Sequence, residues 1–274
     1  MKTKFIFSIA VFVLFYSSCT RVPITGRKQV NLIPESTLNE MSLTEYKKFI
    51  SSHVVVPKTD SGSVLVTKVG KNISDAIVQY LSSHNQGKRV KDFSWQFNLV
   101  QDKEVNAWCM PGGKVVVYTG LLPVSKDENG LAVVLGHEIA HAIARHGNER
   151  MSQQLAIQLG GMGLNVALSQ KPEQTQQIFM QAYGVSTTLG ALAYSRKQES
   201  EADKLGLCFM AMAGYDPTNA VTFWERMSKQ GNSSNFALLS THPSDAKRIA
   251  DIKAFLPTAM KYYVKKPLNT VKGR

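Results

Sequence analysis

The sequence predicts an α+β domain, mostly helical, with a short β-sheet beside one apolar helix. Three observations carry this. Long stretches repeat their apolar residues every three to four positions, as Leu65, Val69, Ile73, Ile77 and Leu81 do. Only two stretches read as strands: "FSWQFNLV", with Phe93, Trp95, Phe97 and Leu99 alternating with polar residues, and "KVVVYTG". The second of these leads into "LAVVLGHEIAHAIARHG", an apolar helical stretch with two histidines four residues apart.

The chain has 274 residues, 43% of them hydrophobic, which is enough to bury a substantial core. Its net charge is +12, and loss of the two lysines in residues 1–18 would leave +10. The basic residues are scattered, with one cluster in the tail "MKYYVKKPLNTVKGR". Zinc-finger spacing, an RNP-type strand and a dense Lys/Arg stripe are all missing, so no nucleic-acid partner is expected. The charge reads first as a solvated basic surface, with loose attraction to an anionic membrane or wall polymer as the alternative.

Taken in order, the chain opens with Lys2 and Lys4, then "FIFSIAVFVLFY", then "SSC". A positive start, a short apolar run and small residues make residues 1–18 a signal peptide. The run is shorter than the ~20 residues a spanning helix needs. Cys19 is placed as in a bacterial lipobox, although Tyr16 stands where such boxes carry Leu. Cleavage near Ser18 with a free cysteine is the alternative. Residues 19–34 are then a lipid-anchored tether running onto the surface, residues 35–256 the main domain, and residues 257–274 a basic tail. "ESTLNEMSLTEYKKFI" and residues 63–84 read as helices. "QDKEVNAWCMPGG" reads as a turn-rich connection between the two strands. Ser125 with Glu128 fits a capping box before the histidine helix. Gly160, Gly161, Gly163 and Pro172 break the helical pattern downstream. Helix resumes through "TLGALAYSRKQESEADKLGLCFMAMAG", and two more follow, the first with Asp216 as its cap. Cys208 reads as a buried small hydrophobe; a bond from it to Cys109 is open.

The chemistry concentrates in three places. Positions four apart on a helix differ by only 40°, so His137 and His141 point the same way, one turn apart. Glu138 lies on the neighbouring face, within reach of a water at a metal rather than of the metal itself. His146, five residues past His141, falls 140° off that face and reads as a helix-end residue. A third ligand is sought in "SRKQESEADKLG", where Glu199 and Asp203 share a helix face and Glu201 does not. A solvated acidic face is the alternative, and the apolar flanks favour the ligand. Asp203 can hold the free ring nitrogen of a ligand histidine. Finally, His242 sits in "STHPSDAKRI", before Pro243, which keeps it extended, and Ser244, which can cap the next helix.

With these residues in view, the chain resembles the gluzincin metallopeptidase family that includes the CAAX prenyl protease, the HtpX heat-shock protease and the mitochondrial OMA-type protease, in its exported lipoprotein branch. The resemblance spans roughly residues 25–256 and rests on "VNAWCMPGGKVVVYTGLL", "LAVVLGHEIAHAIARHG", "SRKQESEADKLG", "AGYDPTNAVTFWERM" and "STHPSDAKRIADI", in that order. It implies a zincin-like fold and one Zn2+ per chain on His137, His141 and Glu199. Glu138 would be the general base and Asp203 a partner behind the ligands. It also brings His242 near the metal, either as an oxyanion donor or as a plug in the open position, with Arg248 in support. The implied function is a zinc endopeptidase of the cell envelope acting on misfolded or misassembled envelope proteins. It would face the periplasm on a lipid anchor, the outer membrane ranking ahead of the inner. A zinc-containing chaperone or scaffold with little proteolysis is the competing reading.

One expectation concerns substrate. Many zinc peptidases bind it as a strand added to a sheet edge beside the metal. Val115 and Val117 of "GGKVVVYTG" are placed on that edge, with Gly113 admitting the incoming backbone and Asn106 shaping the cleft. An interior strand without an exposed edge is the alternative.

Overall fold

A computed structural model describes residues 19–158, 172–183, 195–229, 237–242 and 246–265. The signal-peptide reading of residues 1–18, the glycines at 160–163, the stretch 184–194, and Pro243 and Ser244 lie outside the described residues.

The expected tether is instead a docked hairpin. Cys19–Arg21 (β1) pairs antiparallel with Lys28–Val30 (β2) around a tight turn in which Ile24 and Gly26 both have positive φ. Val22, Gln29 and Ile33 are buried, so this segment adds to the core. Glu35–Ser52 (α1) follows, then Ser61–Ser83 (α2). The carboxylate of Asp60 caps α2 by accepting from the Gly62 amide at 2.8 Å. Of the four-residue repeat read in the sequence, Val69, Ile73, Ile77 and Leu81 are buried, while Leu65 is half-buried and Val66 beside it takes the buried position.

The sheet has three strands, Gln96–Val100 (β3), Ala107–Met110 (β4) and Lys114–Tyr118 (β5), in the order β3-β5-β4. The sequence hid β4 because all four of its residues are buried, leaving no polar alternation to read. β5 runs parallel to β3 and antiparallel to β4, so Val115 faces Phe97 on one side and Cys109 on the other. The edge-strand reading of Val115 and Val117 is therefore corrected: β5 is the central strand. Gly112 and Gly113, at φ 74° and 79°, make the tight turn that folds β5 back between its neighbours. A side chain at Gly113 would meet the Trp95 ring at 2.7 Å, so this glycine answers to the turn and Trp95. Val55 bridges Val100 on the outer side of β3. β4 is the opposite edge, and no strand among the described residues pairs with its outer side.

Leu122–Ser125 (α3) leads to Glu128–Ala144 (α4), which carries both motif histidines. Its cap is Asp127, which accepts from the Gly130 amide at 2.9 Å; Ser125 instead donates to Leu122 within its own turn. His146–Gln158 (α5), Pro172–Ala182 (α6) and Arg196–Met212 (α7) follow. The start of α7 carries a complete capping box, Ser195 with Gln198, that the sequence reading passed over. Asn219–Ser228 (α8), Ala237–Thr241 (α9) and Ala246–Ala259 (α10) complete the set, so helix continues past residue 257. Every residue of α4 from Gly130 to Ala144 is buried, because α2, β4, α7 and α8 pack around it. The closest crossing is with α7, where Gly136 lies against Gly206: a Cβ on Gly206 would stand 2.9 Å from the Gly136 carbonyl carbon and the His137 nitrogen. No helix among the described residues is long and apolar enough to cross a membrane. Cys109 and Cys208 are both buried and free, which closes the question of a bond between them.

Candidate metal centre

The glycine crossing sets α4 and α7 side by side at the level of the motif. His137 and His141 descend one face of α4, and Glu199 and Asp203 reach them from the first turns of α7. Both rings turn Nε2 toward one point. His137 Nε2 lies 3.0 Å from His141 Nε2, and each is 3.4 Å from an oxygen of Glu199. His242, just past α9, adds Nδ1 at 3.1 Å from His137 Nε2 and 2.9 Å from Glu199 Oε1. One ligand atom from each of these four buried residues lies within 4.8 Å of all the others. Tetrahedral ligands ~2.1 Å from an ion are ~3.4 Å apart, so the spacing fits a metal. Two further observations agree. Glu199 Oε2 and Glu138 Oε1 are buried with no hydrogen-bond donor, and such oxygens are costly without a partner.

The electrostatics follow from burial and neighbours. Burial works against ionising Glu199, yet His242, His137 and His141 outweigh it and hold its carboxyl well below the usual range. Asp203 is likewise held low against its burial, by Arg248 and His137. At His137 burial opposes the charged ring, but the facing carboxylates of Asp203, which accepts from Nδ1, and Glu199 overcome it and lift the ring to about 9. At His141 burial prevails and the pKa falls well below the ordinary value. Glu138, buried beside the cluster, is raised by desolvation. Its Oε1 is 3.5 Å from His242 Nε2.

Behind the cluster stands a second row. Asp203 Oδ1 is 2.9 Å from His137 Nδ1, so the ring keeps its proton there and presents Nε2 to the centre. Arg248 holds Asp203 with two hydrogen bonds, Nε to Oδ2 at 2.8 Å and Nη2 to Oδ1 at 2.7 Å. A third runs from Nη1 to the His242 carbonyl at 3.0 Å. The guanidinium lies 3.4 Å above the Trp224 ring. One arginine thus ties α7, α8, α10 and the His242 segment together.

The structure brings together His137, His141, Glu199, Asp203, Glu138 and His242. It does not bring Val115, Val117 or Gly113 to an open edge. Asn106 caps the start of β4, its Oδ1 accepting from the Ala107 amide at 2.9 Å. His146 was misplaced by the helical wheel. α4 ends at Ala144, and Arg145 takes a left-handed conformation, φ 59°, that turns the chain back. His146 is then fully buried, with Nδ1 2.9 Å from His141 Nδ1 and Nε2 3.0 Å from Glu201 Oε2. Glu201, read as lying off the site's face, is buried as well. Burial opposes its ionisation, but hydrogen bonds from His146, Thr25 and Arg27 hold it down at about 2. The one clue in the sequence was a third histidine directly after the motif in an otherwise apolar helix.

Comparison with known proteins adds a second line. Residues 71–256 match the profile described as peptidase family M48. The chain is 33% identical over 253 residues to the mitochondrial metalloendopeptidase OMA1 of Schizosaccharomyces pombe, covering 90% of this chain and 69% of that one. It is 28% identical to human OMA1, covering 92% of this chain and 48% of the relative. It is 30% identical over 164 residues to the β-barrel assembly-enhancing protease of Escherichia coli, covering 58% of this chain and 34% of the relative. The chain therefore spans about half of the human relative and a third of the bacterial one.

Proposed function

The chain belongs to peptidase family M48, and from that premise we propose that it is a zinc-dependent endopeptidase of the cell envelope. Its substrates on this reading are misfolded or misassembled envelope proteins. The observation that carries the chemistry is the convergence of His137, His141 and Glu199 with Glu138 buried alongside. The cell-envelope setting is supported by the signal-peptide layout ending in Cys19, by the docked hairpin that starts there, and by the name of the Escherichia coli relative. Cys19 carries the lipid anchor in this proposal, and Cys19→Ala should release the protein from the membrane fraction.

His137, His141 and Glu199 would hold the zinc. Bound zinc supplies Lewis acidity, which lowers the pKa of water toward ~7 and polarises a peptide carbonyl. Glu138 takes the proton of the attacking water at Oε1 and hands it to the leaving amine. Asp203 keeps the Nδ1 proton of His137 in place, and Arg248 keeps Asp203 in place. Substrate backbone would add to the outer edge of β4, the strand packed against α4, with Asn106 at its start. His242 occupies the fourth corner of the ligand set, which favours the plug over the oxyanion donor in this conformation. Four protein donors make a closed site, and closed sites are structural. That observation keeps the scaffold reading as the second choice.

The test compares cleavage of an unfolded and a folded protein, with and without chelator. Endopeptidase action expects cuts in the unfolded substrate that disappear with chelator and with Glu138→Gln while zinc stays bound. A zinc-loaded protein that cuts nothing, and whose Glu138→Gln variant still works in cells, establishes the scaffold instead.

A further inference from the structure

Two motif histidines present the same nitrogen to the centre, yet among the described residues their Nδ1 atoms meet different partners, a carboxylate at one and a histidine at the other. His137 is oriented directly by Asp203. Behind His141 stands another histidine, His146, and only behind that a carboxylate, Glu201. We propose that Glu201 and His146 act as positioning residues for His141, and that the N-terminal hairpin holds this relay in place through Arg27. This rests on the metal reading above.

The proton count fixes the direction. An ionised carboxylate only accepts, so His146 donates from Nε2 to Glu201 Oε2, 3.0 Å away. A neutral ring that carries its proton on Nε2 has a lone pair on Nδ1. That lone pair faces His141 Nδ1 at 2.9 Å, so His141 must donate from Nδ1. His141 Nε2 is then left unprotonated, and Nε2 is the atom aimed at the centre. Moving the proton to the other Nδ1 would set the His146 Nε2 lone pair against the carboxylate, acceptor against acceptor. A carboxylate thus selects the ligand tautomer two rings away, as Asp203 does in one step.

The hairpin enters because Glu201 is not held by its own helix. Thr25 donates its hydroxyl to Glu201 Oε1, and Arg27 donates from Nε to Oε2 at 2.6 Å. The same guanidinium makes a two-point pair with Glu149 on α5, at 2.7 and 2.8 Å. Gln198 of α7 donates to Glu149 at 2.8 Å. Arg89 reinforces the docking by donating to the carbonyls of Arg21 in β1 and Ile143 near the end of α4. Arg27 joins β1–β2, α5 and α7, and its planar fork satisfies two carboxylates at once.

The experiment measures Zn2+ and Co2+ affinity by chelator competition, with long-range 1H–15N spectra of histidine-labelled protein. Apo-protein melting serves as the folding control. In the wild type, His146 should be the Nε2–H tautomer and His141 Nδ1–H. His146→Phe and Glu201→Leu should each weaken metal binding ~10–100-fold and alter the Co2+ visible spectrum. His146→Gln, whose amide accepts with one atom and donates with the other, should recover much of the loss. Arg27→Gln, at the hairpin's rim, should weaken binding about threefold or more with little change in apo melting. An Nδ1–H tautomer at His146 would overturn the proposal. So would wild-type affinity, within about twofold, in Arg27→Gln and in whichever of the two core variants folds. Failure of the metal reading looks different: the wild type binds no metal, or Glu199→Ala binds as well as wild type.

Discussion

Gly206→Ala should damage the metal site while leaving the fold almost unharmed. The added Cβ would stand 2.9 Å from the Gly136 carbonyl carbon and from the His137 nitrogen, and 3.1 Å from the Gly136 oxygen. Ordinary contact begins near 3.4 Å, so α4 and α7 must part by about 0.5 Å. Backbone cannot rotate aside as a side chain can. Overpacking of this kind costs ~1–3 kcal/mol. Alanine is the better helix former by ~1 kcal/mol, which offsets part of that. The net loss of stability is then ~0–2 kcal/mol. The displacement falls on the residue bearing His137, and it stretches the 2.9 Å contact to Asp203 toward ~3.4 Å, beyond good hydrogen-bond length. Metal affinity should fall ~10-fold or more. Chelator competition and thermal melting of the same preparation separate the two effects. Gly136→Ala meets the Gly206 oxygen at 2.9 Å in the same gap, so the double variant should cost less than the two singles added. A Gly206→Ala protein that melts higher and binds metal like the wild type would show that the crossing has slack and does not set the His137–Asp203 contact.

Arg248→Met should destabilise by ~3–5 kcal/mol, because it strands the buried carboxylate of Asp203; a melting midpoint lowered by on the order of 10 °C would match that. Arg248→Lys should not rescue it, since an ammonium cannot make the two-point pair and the stack on Trp224 together. Arg145→Gly should be neutral or stabilising by up to ~1 kcal/mol, because glycine suits φ 59°, while Arg145→Val should destabilise and weaken metal binding by displacing His146. Denaturant melts and metal titrations of the pair decide this. Hairpin docking should be acid-sensitive through Glu149. Its burial opposes ionisation, but Arg27 and Gln198 hold its carboxyl below the usual 4.5. A depressed carboxyl adds stability that is full above its unfolded pKa and lost as pH falls through the folded one. Proteolysis within residues 19–30 should therefore begin only below about pH 4.5, and Glu149→Gln should expose the hairpin at neutral pH as well.

What the sequence alone determined was everything set by the geometry of one helix. His137 and His141 share a face because 3.6 residues make a turn, and Glu199 and Asp203 share one for the same reason. The α2 stripe from Val69 to Leu81 was legible likewise. The resemblance of five ordered motifs then joined Glu199 to the histidines, a pairing that no local rule contains. Tertiary structure alone decided the rest. Whether β5 lay at the edge or the centre depended on β4, whose four buried residues carry no alternation. His146 was read on a helix that had already ended, because a left-handed arginine leaves no mark in the apolar pattern. Glu201 read as lying off the site because its partners, Thr25 and Arg27, are 176 and 174 positions away. Side-chain period reports which residues share a face of one element, and it is silent on which distant element covers that face.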